Sequence, residues 1–594
     1  MQTKISFKQS LVLIFAFVCL PLSAQEPSEM QKNEQKMAHL IQLVRYMYVD
    51  PVEMSPITEK GIEEMLKQLD PHSVYISAKD VAKANEPLLG NFDGIGVSFQ
   101  IVKDTIVIVD VISGGPSEKL GIMAGDKIIK IDSLNSTGDS ATTDFVFRHL
   151  RGKKGSKVEV SIVRKGNPKV LVYTIVRDKI PINSVDTYFM ENKQTAYIRL
   201  DRFAKTTMEE IRNAIADLQT KGMQNLILDL RGNSGGYLDV AVQLADEFLG
   251  DKKLVVYMEG KAQAKQEFFA TQQGAFEKGK LVIMIDEGSA SASEIVSGAM
   301  QDWDRGVVVG RRSFGKGLVQ RPFDLPDESN VRLTTARYYT PSGRCIQKPY
   351  VDGLESYYAD VMNRYTHGEM LHPDSVKLPD SLKYKTANQR IVYGGGGIMP
   401  DVFIPIDTQR ISDYYVDLRR NNVLNNFVMD LMDKDRNKLL KIYPDFKTFK
   451  SDFKTDTVFM NQFEQYAEKA GVKHKNMKLE KANYYLKQLI DEMAKDSLLA
   501  EAKNYAEYMQ KVMWSPEKIQ KYLLDKAQEE DKAQLESIQR SEQYIEAQLK
   551  ALIARNLYGI SYYYQIIKEM DDGYQRALKI VEDKKVFDKL KLVY

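Results

Sequence analysis

The apolar run Leu281–Ile285 leads directly into Gly288-Ser289-Ala290-Ser291-Ala292-Ser293-Glu294 and then into the helical pattern Glu294–Trp303. A short apolar run, a turn of small residues and a helix make one strand–turn–helix unit. The same succession appears upstream, where the apolar Asn225–Leu230 meets Arg231-Gly232-Asn233-Ser234-Gly235-Gly236 and the helical Tyr237–Leu249. Ahead of that lie the strand-type Gln194–Leu200 and the amphipathic Met208–Gly222. Strands that alternate with helices are joined by crossovers, and crossovers set strands parallel between helical layers. The fold class is therefore α/β, in a chain whose 594 residues suggest about four domains and whose 43% apolar content is ample for real cores.

The turn at Ser291 also carries chemistry. Small residues before a helix let another backbone approach closely, and a serine there lies beside free N–H groups and the positive end of the helix dipole, a place that suits an oxyanion. Yet Ser291-Ala292-Ser293-Glu294 is equally the Ser-x-x-Glu capping box of an ordinary helix start, so the turn alone does not separate a nucleophile from a cap. A second stretch, Phe314-Gly315-Lys316-Gly317-Leu318-Val319-Gln320, supplies the missing base, since none of the six histidines sits in a triad motif. A lysine serves as general base when burial among groups such as Gly, Phe, Leu and Val lowers its pKa, because desolvation disfavours the ammonium. If Gly317–Phe323 is a strand, period two places Lys316, Leu318 and Gln320 on one face, and the Gln320 amide can orient the lysine nitrogen.

With these residues in view, the chain resembles the carboxyl-terminal processing peptidases, the tail-specific serine protease family, over roughly Met37 to Pro405. The resemblance implies a crotonase- or ClpP-like α/β protease core. It implies Ser291 as nucleophile, Lys316 as base and Gln320 as its helper, with Ser289 and Ser293 as bystanders. It further implies that the backbone N–H groups of Gly236 and Ala292 form the oxyanion hole.

The stretch Phe92–Lys179 alternates β-type runs with turn signals and resembles a PDZ domain, in which Gly94-Ile95-Gly96-Val97 fits the carboxylate-binding loop. By the same resemblance Arg151, in Leu150-Arg151-Gly152-Lys153-Lys154-Gly155, matches an arginine that contacts the active site when the PDZ domain is docked; as a plain sequence feature it is a surface charge in a turn. Before this domain, Met30–Leu69 reads as helices ending at Leu69-Asp70-Pro71-His72-Ser73, where His72 reads as a turn-stabilising residue.

Lys4 and Lys8, the apolar Leu11–Leu20 and Leu22-Ser23-Ala24 read as a secretory signal cleaved after Ala24. An exported, periplasmic protein is expected, and membrane association through that segment is compatible but not required. Beyond residue 24 only Cys345 remains, so no intrachain disulfide can form, and the formal charge of +2 is carried by Lys4 and Lys8. A balanced chain of this kind gives no footprint for nucleic acid. Gly310–Gly317 falls one residue short of a phosphate-binding P-loop, and no His-Glu-x-x-His or paired cysteines appear, so no metal or other cofactor is expected.

Tyr350–Gln389 is polar and reads as a long loop or insertion. From Ile411 onward the sequence is charged and helix-rich, with Tyr414-Tyr415, Tyr484-Tyr485 and Tyr562-Tyr563-Tyr564 among Lys, Glu and Leu, and its helices offer a surface for homo-oligomers. The domains expected are a signal segment 1–24, an N-terminal helical region 25–88, a PDZ domain 89–180, a protease core 181–410 and a C-terminal helical domain 411–594. The function implied is an exported serine endopeptidase that captures protein substrates by their C-termini and cuts near apolar ends. The alternative is a non-catalytic PDZ scaffold or adaptor of the cell envelope, where Ser291 only caps its helix and Lys316 is solvated.

Overall fold

The computed structural model describes residues 28–112, 114–272, 274–372, 375–376, 379–407, 412–472 and 541–592. The signal segment 1–24 and Tyr484-Tyr485 lie outside the described residues. The chain divides into two compact units, Met1–Gln68 and Leu69–Tyr594. In the first, helices Glu29–Met47 and Met54–Lys67 follow the expected periodicity, and the first opens on a Ser28/Gln31 capping box.

The second unit is built on a six-stranded sheet in the order Val185–Met190, Thr195–Leu200, Asn225–Asp229, Lys280–Ile285, Val307–Gly310, Val402–Phe403. Its first pair is antiparallel and all later pairs are parallel. Successive side chains go to opposite faces. Leu226, Leu228, Leu281 and Ile283 enter one core with the helices Thr207–Thr220, Leu238–Asp246 and Ala292–Asp302. Ile227, Val282, Met284, Val307 and Val309 enter a second core on the other face. A parallel sheet needs cover on both faces, which is why its strands read as unbroken apolar runs. The second cover comes from the far end of the chain: Tyr574, Ala577, Ile580 and Val581 of helix Asp572–Glu582, with Phe587 of Lys584–Lys589. The expected C-terminal domain 411–594 thus gives its last helices to the core of the six-stranded sheet, while residues 412–472 and 541–567 form their own aromatic core around Phe427, Phe449, Phe453 and Phe463.

A five-stranded antiparallel sheet, Val74–Ile76, Asn330–Tyr339, Leu254–Gly260, Gln263–Phe269 and Leu318–Asp324, stands beside the first. The inserted β-rich domain is a six-stranded antiparallel sheet from Val97 to Val176 with helix Thr143–Leu150. Strands Asn91–Gly94 and Asp178–Pro181 pair antiparallel at its base, so the chain leaves and re-enters the core at one place. The expected loop 350–389 contains instead a helix, Leu354–Thr366. Its buried positions are Tyr357 and Arg364, a tyrosine and an arginine, so apolar periodicity does not reveal it.

Asp229, fully buried at the end of its strand, joins the two halves of the core. Its carboxylate accepts from the Tyr197 hydroxyl (2.7 Å), from Arg199 (3.2 Å) and from Arg231 (2.6 Å), and Arg231 reaches on to Asp571 at the start of the C-terminal helix (2.7 Å). Burial opposes the charge on Asp229, but Arg231 and Arg199 outweigh it and hold the carboxyl well below the usual range. Because that folded-state value is depressed, the stabilisation is present at neutral pH and is lost only as pH falls below the ordinary carboxylate range. Asp229→Ala leaves Arg231 and Arg199 with only their outer partners Asp571 and Asp186 and takes the acceptor from the buried Tyr197 hydroxyl, and should cost about 3 kcal/mol in urea unfolding at pH 7.

Candidate active site

Ser291 stands where strand Lys280–Ile285 has turned and helix Ala292–Asp302 begins. Its backbone lies at φ 54°, ψ −111°, a region that side-chain-bearing residues adopt only where the surroundings impose it. The neighbouring loop supplies that constraint: a Cβ built on Gly235 would fall 2.8 Å from the Ser291 Cβ and 2.9 Å from the Ala290 carbonyl. Only glycine fits so close. The three serines of the turn differ sharply. The Ser289 hydroxyl is buried and donates to the Leu230 carbonyl (2.8 Å), and that of Ser293 is buried and donates to the Asn233 carbonyl (2.8 Å). Ser291 is partly exposed and lines a cavity of about 370 Å³ together with Lys316, Gln320, Gly236 and Ala292.

The loop carrying Lys316 is bound to the serine turn by a single carboxylate. Glu294, fully buried, accepts from the backbone N–H of Ser291 (2.8 Å), the hydroxyl of Ser313 (2.5 Å) and the backbone N–H groups of Gly315 (2.7 Å) and Lys316 (2.9 Å). Burial pushes its pKa up to about 6 against the pull of these donors. The Tyr338 hydroxyl lies 2.6 Å from the Lys316 carbonyl and 3.1 Å from the Ser291 carbonyl, a second bridge between the same residues. From outside, Arg364 of the helix Leu354–Thr366 donates to the carbonyls of Ser313 (2.7 Å) and Phe314 (3.1 Å). Burial lowers the Lys316 pKa; Glu294 and Asp70 pull it back up, and Arg332 presses it down.

Lys316, Leu318 and Gln320 all line the cavity, as alternation expects, and Val319 joins them. The strand begins at Leu318, after Lys316, and its register with Asn330–Tyr339 shifts between Val319 and Gln320, where Thr335 is the extra residue on the facing strand. The Gln320 amide nitrogen donates to the Thr334 hydroxyl (3.1 Å), which donates to Asp70 (3.0 Å). His72 is the turn residue expected: its backbone N–H donates to Asp70 (2.8 Å), its Nε2 meets the Tyr357 hydroxyl (2.8 Å), and burial pushes its pKa down to about 4.

Gly236 meets Phe203 in a parallel bridge that uses the Gly235 carbonyl and the Tyr237 N–H, so the Gly236 N–H is not spent in that pairing. A Cβ there would fall 2.1 Å from the Phe203 carbonyl oxygen. Ala292 is the first helical residue and carries one of the N–H groups that a helix leaves unpaired at its start.

In the inserted domain, Gly94–Val97 links the base strand Asn91–Gly94 to strand Val97–Val102, an edge strand of its sheet. The Ile95 carbonyl accepts from the Ser117 hydroxyl (2.6 Å) and the Gly96 carbonyl from the Ile112 N–H (3.0 Å), which holds the loop in place. Arg151 does not line the Ser291 cavity. It caps helix Thr143–Leu150, stacks on Phe92 and Phe147 (4.6 and 4.5 Å to the ring centres) and pairs with Glu86 of helix Ala78–Leu89. That same helix lines the cavity through Asn85 and Leu88.

A family model for Peptidase family S41 matches residues 194–355, one for the PDZ domain matches 94–173, and a family of unknown function (DUF8443) matches 414–491 and 488–559. The chain is 36% identical over 320 residues to a carboxy-terminal-processing protease of Bartonella bacilliformis, covering 53% of this chain and 73% of the relative. It is 32% identical over 338 residues to the carboxy-terminal processing protease CtpB of Bacillus subtilis, covering 56% and 69%. Among solved structures, the photosystem II D1 C-terminal processing protease aligns at 26% identity over 63% of this chain and 88% of its own, with a TM-score of 0.34.

Glu294 is the residue that sequence reading reduced to a helix cap. Glu294→Gln presents an amide NH2 to a site where every partner donates, so at least one buried N–H loses its acceptor. A loss of about 1–3 kcal/mol in stability is expected. Turnover, measured where circular dichroism shows the variant fully folded, should fall about a hundredfold as the serine and lysine loops shift apart.

Proposed function

Because the chain belongs to the carboxy-terminal processing proteases of peptidase family S41, we propose that its serine-type peptidase activity on protein C-termini runs on a dyad of Ser291 and Lys316. The observation that carries this reading is the shared Glu294 carboxylate, which ties the two residues into one cavity wall. Neutral Lys316 takes the proton as the Ser291 oxygen attacks the scissile carbonyl. The N–H groups of Gly236 and Ala292 receive the oxyanion, and the lysine returns the proton to the leaving amine. Water, deprotonated by the same lysine, then attacks the acyl carbonyl, and the lysine passes the proton to the Ser291 oxygen as its bond to the acyl carbon breaks. Substrate tails add to the edge strand Val97–Val102, with their terminal carboxylate at Gly94-Ile95-Gly96-Val97. Export through residues 1–24 to the periplasm, action near apolar C-termini and self-association through the C-terminal helices belong to the same proposal. Among the described residues no helix is long and apolar enough to cross a membrane.

The test is incubation of wild type and variants with unfolded proteins that bear apolar tails. Ser291→Ala should abolish cleavage, whereas Ser289→Ala and Ser293→Ala should lose stability but keep measurable activity; a dead Ser289→Ala beside an active Ser291→Ala would mean the register is wrong. Lys316→Arg should be inactive, because a guanidinium stays charged at any working pH. Since burial lowers the Lys316 pKa and the base acts only when deprotonated, wild-type activity should rise with pH along a limb centred below the usual lysine value of about 10.4.

Control of the site follows from Arg151 and Glu86. The helix Ala78–Leu89 meets Arg151 of the PDZ domain through Glu86 and lines the cavity through Asn85 and Leu88 in the same turn, so the position of that domain bears on the cavity through this helix. If the PDZ domain only tethers substrate, Arg151→Ala impairs tailed proteins alone. Gating predicts that hydrolysis of a short chromogenic peptide falls as well, and full peptide hydrolysis by Arg151→Ala would leave tethering as the better account.

A further inference from the structure

Behind the Ser291 cavity, three adjacent strands carry a chain of hydrogen bonds whose direction is fixed at one end. Gln320 and Thr334 lie directly opposite one another on the strands Leu318–Asp324 and Asn330–Tyr339, a register created by the bulge at Thr335. On the other side of Asn330–Tyr339 runs Val74–Ile76, reached through Asp70 and Ser73. Asp70 and Ser73 are buried. The Asp70 carboxylate receives the Thr334 hydroxyl (3.0 Å), the His72 N–H (2.8 Å), the Ser73 N–H (2.9 Å) and the Ser73 hydroxyl (2.6 Å), and the Ser73 oxygen in turn accepts from the Thr334 N–H (3.1 Å).

A carboxylate accepts and does not donate. The one proton of the Thr334 hydroxyl is therefore committed to Asp70, and Thr334 can face Gln320 only as an acceptor. It follows that the NH2 end of the Gln320 amide points at Thr334 and its oxygen points away from it. The opposite rotamer would set the amide oxygen against a hydroxyl with no proton to give. We propose that Asp70 acts through Thr334 as a positioning residue for the base: it fixes the Gln320 amide with its oxygen towards Lys316, and so aims the lysine lone pair at Ser291. This rests on the reading of Lys316 as general base. A neutral amine has two N–H bonds and one lone pair; an amide oxygen takes one N–H and leaves the lone pair free for the serine proton. An amide NH2 in its place would donate into that lone pair and disable the base. The charged and titratable groups that face Lys316 are Glu294, Asp70, Arg332 and His72, and of these only Asp70 also ends the relay.

Three variants test the relay, with kcat and KM measured across pH and unfolding temperature measured in parallel. Thr334→Val keeps the shape and removes the hydroxyl; kcat should fall about tenfold or more with KM within about twofold. Thr334→Ser keeps the hydroxyl and should recover most of the loss. Asp70→Asn should lower kcat similarly and also move the acid limb of the profile to lower pH, because it removes a negative charge that favours the Lys316 ammonium; a purely structural defect lowers the folded fraction without moving that limb. The relay is overturned if Thr334→Val keeps kcat within about twofold of wild type, if Thr334→Ser is as impaired as Thr334→Val, or if every loss tracks the unfolded fraction. Should Asp70→Asn fail to fold, the two Thr334 variants decide. An active Lys316→Arg removes the base reading itself, whereas an inactive Lys316→Arg beside a normal Thr334→Val removes the relay alone.

Discussion

A buried carboxylate with four donors holds the site together. Glu294 lies on the helix that Ser291 opens, yet three of its four partners, Ser313, Gly315 and Lys316, belong to the other loop. Neither loop has regular structure to hold it. The turn at Ser291 is strained, and the stretch from Arg311 to Gly317 passes between two strands without a ladder of its own. Charge-assisted hydrogen bonds are shorter and about twice as strong as neutral ones, and in a water-free site they keep that strength. The cost is desolvation, visible in the raised pKa of Glu294, and the same charge opposes the lowering of the Lys316 pKa by burial. The lysine's proton affinity is thus set by a contest in which the carboxylate that positions it also makes it a stronger base.

The second constraint is the parallel sheet beneath. Its second face is closed by Tyr574 to Phe587 at the far end of the chain, and the Asp229–Arg231–Asp571 chain bonds the closing helix to the strand that precedes the Gly235-Gly236 turn. On the way there the chain forms the aromatic helical domain, whose helix Val423–Ile442 pairs with the PDZ domain through Lys103–Asp430 (3.1 Å) and Lys127–Asp433 (2.6 Å), while Asp110 faces Arg436 and Arg555. Exposed pairs of this kind contribute little each, on the order of 1 kcal/mol or less, so they set an orientation that salt can loosen.

What the sequence made legible was what it wrote contiguously. Ser291, Lys316 and Gln320 lie in two short motifs, and the alternating strands and helices announced the α/β core. Residues that act at a distance were not legible. Glu294 satisfies a local rule, the capping box, and nothing near it signals donors about twenty residues on. Asp70 was visible only as part of a turn, because its partner Thr334 is set by a bulge in another strand pair. The helix Leu354–Thr366 was hidden by its own chemistry, since the residues it buries are Tyr357 and Arg364. Helix Asp572–Glu582 shows an apolar face in its sequence, but periodicity tells that a face is buried and not against what.

The arrangement also explains why the PDZ insertion sits where it does. Its entry and exit strands pair at Asn91–Gly94 and Asp178–Pro181, directly after helix Ala78–Leu89, whose Leu88 carbonyl accepts from the Lys205 N–H and whose Ala84 carbonyl accepts from Arg332. The helix is therefore fastened to the cavity wall at one end of its length and to Arg151 through Glu86 within the same turn. Beside Glu86, Asn85 accepts from Arg332 (2.9 Å), and Arg332 also faces Lys316, so a shift of the PDZ domain that moved Glu86 would reach the lysine through these two residues. On the proposed reading, motion of the PDZ domain would in this way change the field at Lys316. That conversion needs no long pathway, because one short helix touches both sites.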